Sequence, residues 1–313
     1  MASVIDLYLT NYKLKRAFGS ASGDISRKDE FIVALRDEGG RLKYAMEFPL
    51  SPSSGEMPID VIKLSLSNQF HKSRTAKVFF SYARARLPPA FCFSSDFARY
   101  CLSVRTFGIG AFDDVNICHH DLVRLKASDQ NLAEVVSAIK RFPGRVWVDF
   151  NASLSIESFI SFISQVPPEE IYAVEQPLSY SEVVPSLPCL LIADETYQKF
   201  GADVCARLGY TGYIFKPFMN TFDKYLYCIR NMPGWAVVGS NVSGPLDCCL
   251  TNLLGELMPV VTPARSASHL YNHPLESCIN DLYTLSCGHI TPTDRLEHYL
   301  QTQAERCYSF RLP

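Results

Sequence analysis

Six short apolar runs between residues 121 and 240 each end on a polar side chain. Their even spacing constrains the fold more than any other feature. The runs are Asp121-Leu-Val-Arg-Leu-Lys, Arg145-Val-Trp-Val-Asp, Ile171-Tyr-Ala-Val-Glu, Cys189-Leu-Leu-Ile-Ala-Asp, Thr211-Gly-Tyr-Ile-Phe-Lys and Trp235-Ala-Val-Val-Gly-Ser. The closing residues are Lys126, Asp149, Glu175, Asp194, Lys216 and Ser240, separated by 23, 26, 19, 22 and 24 residues. Between several runs the apolar residues recur at helical spacing: Leu132, Val135, Val136 and Ile139 within Asn131–Arg141, then the segments Ser155–Gln165 and Thr221–Asn231. Strands alternating with helices predict βα units and a parallel sheet. Six evenly spaced units suit a (β/α) barrel better than a doubly wound sheet. No Gly-rich phosphate turn follows any strand, which argues against nucleotide binding.

The N-terminal part has a different grammar. Residues 4–17 alternate loosely, and Glu30-Phe-Ile-Val-Ala-Leu-Arg and Arg41-Leu-Lys-Tyr-Ala-Met-Glu-Phe flank Asp37-Glu-Gly-Gly, the pattern of a β-hairpin. Residues 58–70 and 88–104 are helix candidates, the second opened by Pro88-Pro89. The tail, residues 296–313, reads as a helix and an edge strand that pack back on the N-terminal part. The expected class is α/β: a TIM-like (β/α)7β barrel with an N-terminal α+β capping domain. The expected layout is a cap over 1–104, a barrel over 105–290 and a returning segment over 291–313.

Composition narrows the partners. Thirty Lys and Arg against 32 Asp and Glu leave a net charge of −2, so no excess of positive charge is available for a nucleic-acid backbone. No apolar stretch reaches membrane-spanning length and the first residues do not read as a signal peptide, so a cytoplasmic protein without membrane contact is expected. The eleven cysteines include no CxxC pair and read as reduced, buried thiols. His119-His120, His269 and His273 read as loop or rim residues.

The strand ends carry the chemistry. In a barrel they converge on one open mouth. Asp149, Glu175 and Asp194 on neighbouring strands would repel one another and raise each other's pKa values unless a cation joined them; a hard divalent ion with oxygen ligands, Mg²⁺ (or Mn²⁺ in its place), suits the set. Lys126 and Lys216 would flank that centre, and a nearby metal lowers the pKa of a lysine toward that of a useful base. Arg124 and Lys126, two apart on one strand, share a face, as do Asp149 and Asn151. Such a device takes a proton from the carbon next to a carboxylate, on a small-molecule substrate.

This ordered set resembles the enolase superfamily, its muconate-lactonising subgroup, and most of all the o-succinylbenzoate synthases. The matching pieces are Arg124-Leu-Lys126 for Lys-x-Lys, Asp149-Phe-Asn151 for Asp-x-Asn, and Val174-Glu175-Gln176-Pro177 for Glu-Glu/Gln-Pro. Further on come Ala193-Asp194-Glu195-Thr196 for Asp-Glu-Ser, Phe215-Lys216-Pro217 for Lys-Pro, and Glu47-Phe48-Pro49-Leu50 in the cap. Gly239-Ser240-Asn241 with Ser243-Gly244-Pro245-Leu246 looks like a degraded serine-rich segment that has lost its glutamate.

The resemblance implies roles residue by residue. Asp149, Glu175 and Asp194 bind Mg²⁺; Lys126 is the base and, in a syn-dehydration, the acid that returns the proton. Lys216 stabilises the enediolate; Arg124, Asn151 and Ser240 contact substrate; Glu195 supports them from behind. The implied reaction is the Mg²⁺-dependent syn-dehydration of 2-succinyl-6-hydroxy-2,4-cyclohexadiene-1-carboxylate, a step of menaquinone synthesis. N-acylamino acid racemisation or a related epimerisation is the alternative, and a catalytically silent relative the third possibility. Two departures stand out: Arg124 replaces a lysine, and a strand at Val115–Cys118 before Arg124 would leave almost no room for a helix, so the first βα unit is expected to be shortened.

Overall fold

A computed structural model describes residues 3–20, 23–49, 58–67, 69–86, 104–108, 122–231, 235–239, 244–256, 282–286 and 289–312. Two large sheets and a small two-stranded one run through them. The first is antiparallel: β1 (Val4–Ser20), β2 (Gly23–Arg36) and β3 (Leu42–Pro49), with the order β13-β1-β2-β3 completed by β13 (Glu305–Arg311). The β2–β3 hairpin turns at the expected Asp37–Gly40. Asp37 accepts the amides of Gly40 through its carbonyl and of Arg41 through its side chain, and Gly40 takes φ +78°, the left-handed region that suits glycine. Helices α1 (Pro58–Leu66) and α2 (Arg74–Ala83) follow. Helix α2 starts at Ser73, whose side chain accepts the Ala76 amide, and it buries Val78, Phe79 and Tyr82. The helix expected at 88–104 falls outside the described residues except at its last position, where Val104 opens a strand instead.

The second sheet has seven parallel strands, each beside its sequence neighbour. They are β4 (Val104–Gly108), β5 (Leu122–Lys126), β6 (Val146–Asp149), β7 (Ile171–Glu175), β8 (Leu190–Ala193), β9 (Gly212–Phe215) and β10 (Trp235–Val238). The strand that pairs with β5 is therefore β4, with Val104 opposite Leu122 and Gly108 opposite Lys126. The expected strand at Val115–Cys118 lies outside the described residues. Helices α3 (Leu132–Arg141) and α4 (Ile156–Gln165) fill the first gaps. Helix α3 places Glu134 in its first turn and Lys140 and Arg141 in its last, matching the helix dipole, and buries Val135, Val136, Ala138 and Ile139.

The βα alternation breaks between β7 and β8, where residues 176–189 form turns and loop without a helix. Pro177, Pro185 and Pro188 account for this: each removes an amide donor and keeps the residue before it out of helical geometry. Two short helices, α5 (Glu195–Phe200) and α6 (Ala202–Arg207), share the next gap and meet at Gly201, followed by α7 (Phe222–Asn231) and α8 (Pro245–Glu256). A small hairpin, β11 (Tyr283–Ser286) with β12 (His289–Pro292), and α9 (Asp294–Gln303) lead into β13. Among the described cysteines, Cys205, Cys248 and Cys249 are buried. Among the described residues no helix is long and apolar enough to cross a membrane.

The antiparallel sheet and its helices are joined to the parallel sheet at named points. Arg74 donates to the Met219 carbonyl (3.0 Å), the Phe222 amide donates to Ser81 Oγ (2.9 Å), and the Tyr82 and Phe222 rings meet edge to face. Deeper in, the buried Glu47 carboxylate, on β3, accepts the amides of Leu246 and Asp247 at the start of α8 (3.1 and 3.3 Å) and the hydroxyl of Tyr12. A carboxylate at a helix N-terminus meets unpaired amides and the positive end of the dipole.

Candidate active site

Strand register assembles the site. Lys126, Asp149 and Glu175 stand opposite one another as the last residues of β5, β6 and β7, so their side chains project from the same face at the same level. Asp194 follows β8 directly and Lys216 follows β9. The backbone then turns abruptly: Asn151, Ala152 and Gln176 all have positive φ (46°, 60° and 40°), an uncommon cluster of left-handed non-glycine residues where strands give way to loops.

The carboxylates are buried and each faces a cation. Arg124 donates through Nε to Glu175 Oε2 (2.8 Å), through Nη2 to Asp149 Oδ2 (2.7 Å), and through Nη2 again to Glu175 Oε1. Its guanidinium also lies over the buried Trp147 ring, 5.8 Å from the centroid. Lys126 Nζ donates to Asn151 Oδ1 (2.7 Å) and pairs with Asp149 Oδ2 (3.1 Å). Lys216, itself buried, donates to Asp194 Oδ2 at 2.7 Å. Asn151 Nδ2 reaches Glu195 Oε1 at 3.3 Å, so Lys126, Asn151 and Glu195 form one chain of contacts. Arg124 and Lys126 keep 14% and 17% of their side-chain surface exposed, so solvent reaches the cluster from their side.

Burial and neighbouring charge compete at each group. Burial pushes Asp149 up, but Arg124 and Lys126 overcome it and hold the carboxyl below its usual value. Burial, with Asp149 and Asp194 close by, pushes Glu175 up to about 8 despite Arg124. Burial and the charge of Asp194 push Glu195 up to about 7. Burial works against the charge of Lys216, yet Asp194 and Glu195 raise its pKa overall and keep it an ammonium.

The chain thus brings together Arg124, Lys126, Asp149, Asn151, Glu175, Asp194, Glu195 and Lys216. Ser240, expected at the substrate, lies outside the described residues, as do His119, His120, His269 and His273. Sequence reasoning assigned no part to Gln176, which braces the site. Its side-chain oxygen accepts the amides of Asp194 (3.2 Å) and Thr196 (3.0 Å), and its nitrogen donates to Thr196 Oγ1 and Tyr210 Oη. Its place directly after Glu175, before a proline, was the available signal.

The donor set fits a hard divalent cation in kind: three carboxylates at neighbouring strand ends, with Asp194 Oδ1 buried and, among the described residues, without a hydrogen-bond partner. In arrangement they are turned to the protein's own cations, and among the described residues no three His, Cys, Asp or Glu side chains form a ready-made cage.

No family model and no curated protein matches this sequence. Solved structures do match. One is a dipeptide epimerase from Cytophaga hutchinsonii complexed with Mg and the dipeptide D-Ala-L-Val, at 14% identity, covering all of both chains, with a TM-score of 0.70. Another is a protein described as Probable Mandelate Racemase from Alicyclobacillus acidocaldarius, at 16% identity, again covering all of both chains, with a TM-score of 0.70. A third is a member of the enolase superfamily from Listeria innocua, at 14% identity over 100% of this chain and 99% of that one, with a TM-score of 0.65. At these identities the likeness establishes the fold: a parallel α/β sheet of the enolase type with an antiparallel cap sheet.

Proposed function

We propose that this chain removes a proton from the carbon next to a carboxylate, with Lys126 as the base. One observation carries the reading: two lysines, at the end of β5 and just after β9, bracket three buried carboxylates on the strands between them. Asp149, Glu175 and Asp194 are the residues that would hold Mg²⁺. Bound there, the ion would supply Lewis-acid neutralisation of charge gathering on the substrate carboxylate.

The chain's own residues do the rest. Asn151 and Asp149 fix Lys126 Nζ from two sides, so the amine, once deprotonated, takes the α-proton from a set position. Lys216 stays an ammonium and steadies the negative charge that forms. Glu195, through Asn151, orients the base from behind.

One base and one fixed cation suit a syn-dehydration. Lys126 takes the α-proton, a carbon–carbon double bond forms, the C–OH bond breaks, and the same lysine gives its proton to the departing hydroxyl as water. The substrate proposed is 2-succinyl-6-hydroxy-2,4-cyclohexadiene-1-carboxylate and the product o-succinylbenzoate. A second reading, epimerisation of a dipeptide or racemisation of an N-acylated amino acid, draws support from the dipeptide-bound structure above and from Lys216 as a proton carrier facing Lys126.

The test is incubation with Mg²⁺ in deuterated water. Ultraviolet absorbance follows the aromatic product from the cyclohexadiene, and NMR follows α-deuterium in dipeptides and N-acyl amino acids. Aromatic product supports dehydration, and exchange with inversion supports the second reading. Absence of both, in folded protein, overturns the assignment of Lys126 as base.

A further inference from the structure

Arg124 is held by two of the three carboxylates at once. Its guanidinium engages both oxygens of Glu175 and Oδ2 of Asp149, while the Asn151 amide takes Asp149 Oδ1 and Lys216 takes Asp194 Oδ2. Among the described residues, Asp194 Oδ1 is therefore the one oxygen of the three carboxylates without a hydrogen bond. A cation entering this cluster meets a charge already in place.

Resting on the reading that these carboxylates serve a divalent metal, we infer that Arg124 is a resident counter-ion that competes with the metal for Asp149 and Glu175. It keeps the three carboxylates assembled in metal-free protein and weakens metal binding. Two physical points make the competition strict. A guanidinium hardly deprotonates, so Arg124 must withdraw as an intact cation, whereas a lysine there can lose its proton and leave as an amine. Its planar fork also grips two carboxylates at once, which one ammonium at the end of a flexible stem does less well. Solvent-side room for that withdrawal exists, because the side chain is 14% exposed. Trp147 beneath the guanidinium, one of two tryptophans in the chain, reports the movement.

The experiment is calorimetric titration of Mg²⁺, and separately of Mn²⁺, into wild type, Arg124→Lys, Arg124→Met and Asp194→Asn, with tryptophan emission and thermal melting read alongside. Arg124→Met is expected to bind Mg²⁺ roughly tenfold more tightly, since a unit charge beside the ion is removed, with Arg124→Lys between it and wild type. Metal-free Arg124→Met should melt below wild type and recover with Mg²⁺. Wild-type emission should change on metal addition, and that of Arg124→Met far less. Should Arg124→Met fail to fold, Arg124→Lys decides: tighter binding supports the competition and equal binding refutes it. Equal or weaker binding by the arginine variants, with wild type binding and Asp194→Asn not, overturns this inference and leaves the proposed function standing. No binding by any protein overturns both.

Discussion

Two buried acidic clusters in this molecule solve the same electrostatic problem by opposite means. At the strand ends, Asp149, Glu175 and Asp194 are matched by Arg124, Lys126 and Lys216. Between the two sheets, Glu47 is buried close to Glu30 and Asp247, and its contacts come from the α8 amides and from Tyr12, which also meets Tyr299. Burial, then the charge of Glu30, raises the Glu47 pKa well above its usual value. Full charges answer the first cluster, whereas the Glu47 carboxylate is met by helix amides and a hydroxyl. The first can respond to an incoming charge, and the contacts of Glu47 join β3 to α8.

The sharpest way to separate the two is Lys126→Ala. It should lower turnover by about a thousandfold or more, with metal binding largely kept, as kinetics and calorimetry would show. Glu47→Ala should do the reverse. It removes the acceptor that the Leu246 and Asp247 amides and the Tyr12 hydroxyl share, at a cost of about 2–5 kcal/mol in urea unfolding, and acts on turnover only through loss of folded protein. Glu47→Gln, which keeps an acceptor without a charge to desolvate, should cost far less.

The pH response tests the same contrast. A carboxyl raised on folding, as in Glu47 and Glu195, gives stability that is whole below its unfolded value near 4.5 and is lost as pH rises through the folded one. For Glu195, at about 7, that loss falls between pH 4.5 and 7. Asp149, lowered on folding, has the opposite sign: its stability is present above pH 3.8 and is lost as pH falls through its lower folded value. Glu195→Gln should therefore flatten denaturation midpoints between pH 5 and 7, removing at most about 1.4 kcal/mol per pH unit, while Asp149→Asn should flatten them only in acid. The smallest effect expected is that of Ser155→Ala, which removes the side-chain oxygen that caps α4 and should cost about 1 kcal/mol without moving either cluster.

How much of this was legible in the sequence follows from the range of the interactions. The six strands from β5 to β10 and the helices α3, α4 and α7 could be read because apolar runs and helical spacing are local signals, and the strand-end carboxylates and lysines came with them. Helices α5 and α6, at six residues each, are too short to show a period. Helix α2 was missed although Ser73 caps it and Ala76, Phe79 and Tyr82 recur at helical spacing. The Glu47 contact with α8 and the grip of Arg124 on Glu175 join residues about 200 and 51 positions apart. Spacing placed Arg124 on the right face of β5 but held no information about which partner its guanidinium takes.

The pairing of β1 with β13, Val4 opposite Arg311, has a consequence in time rather than space. Each parallel strand meets a neighbour made only a few dozen residues earlier, so the sheet that carries Lys126 and the carboxylates can build up as the chain is synthesised. The antiparallel sheet does so only in part: β1 pairs with β2 as soon as β2 is made, but the other edge of β1 waits for β13, about 300 residues further on. Contacts so distant in sequence close slowly, and a waiting strand edge is open to the wrong partner. Folding of the described residues should thus be limited by β1 finding β13, after the parallel sheet that carries Lys126 has formed.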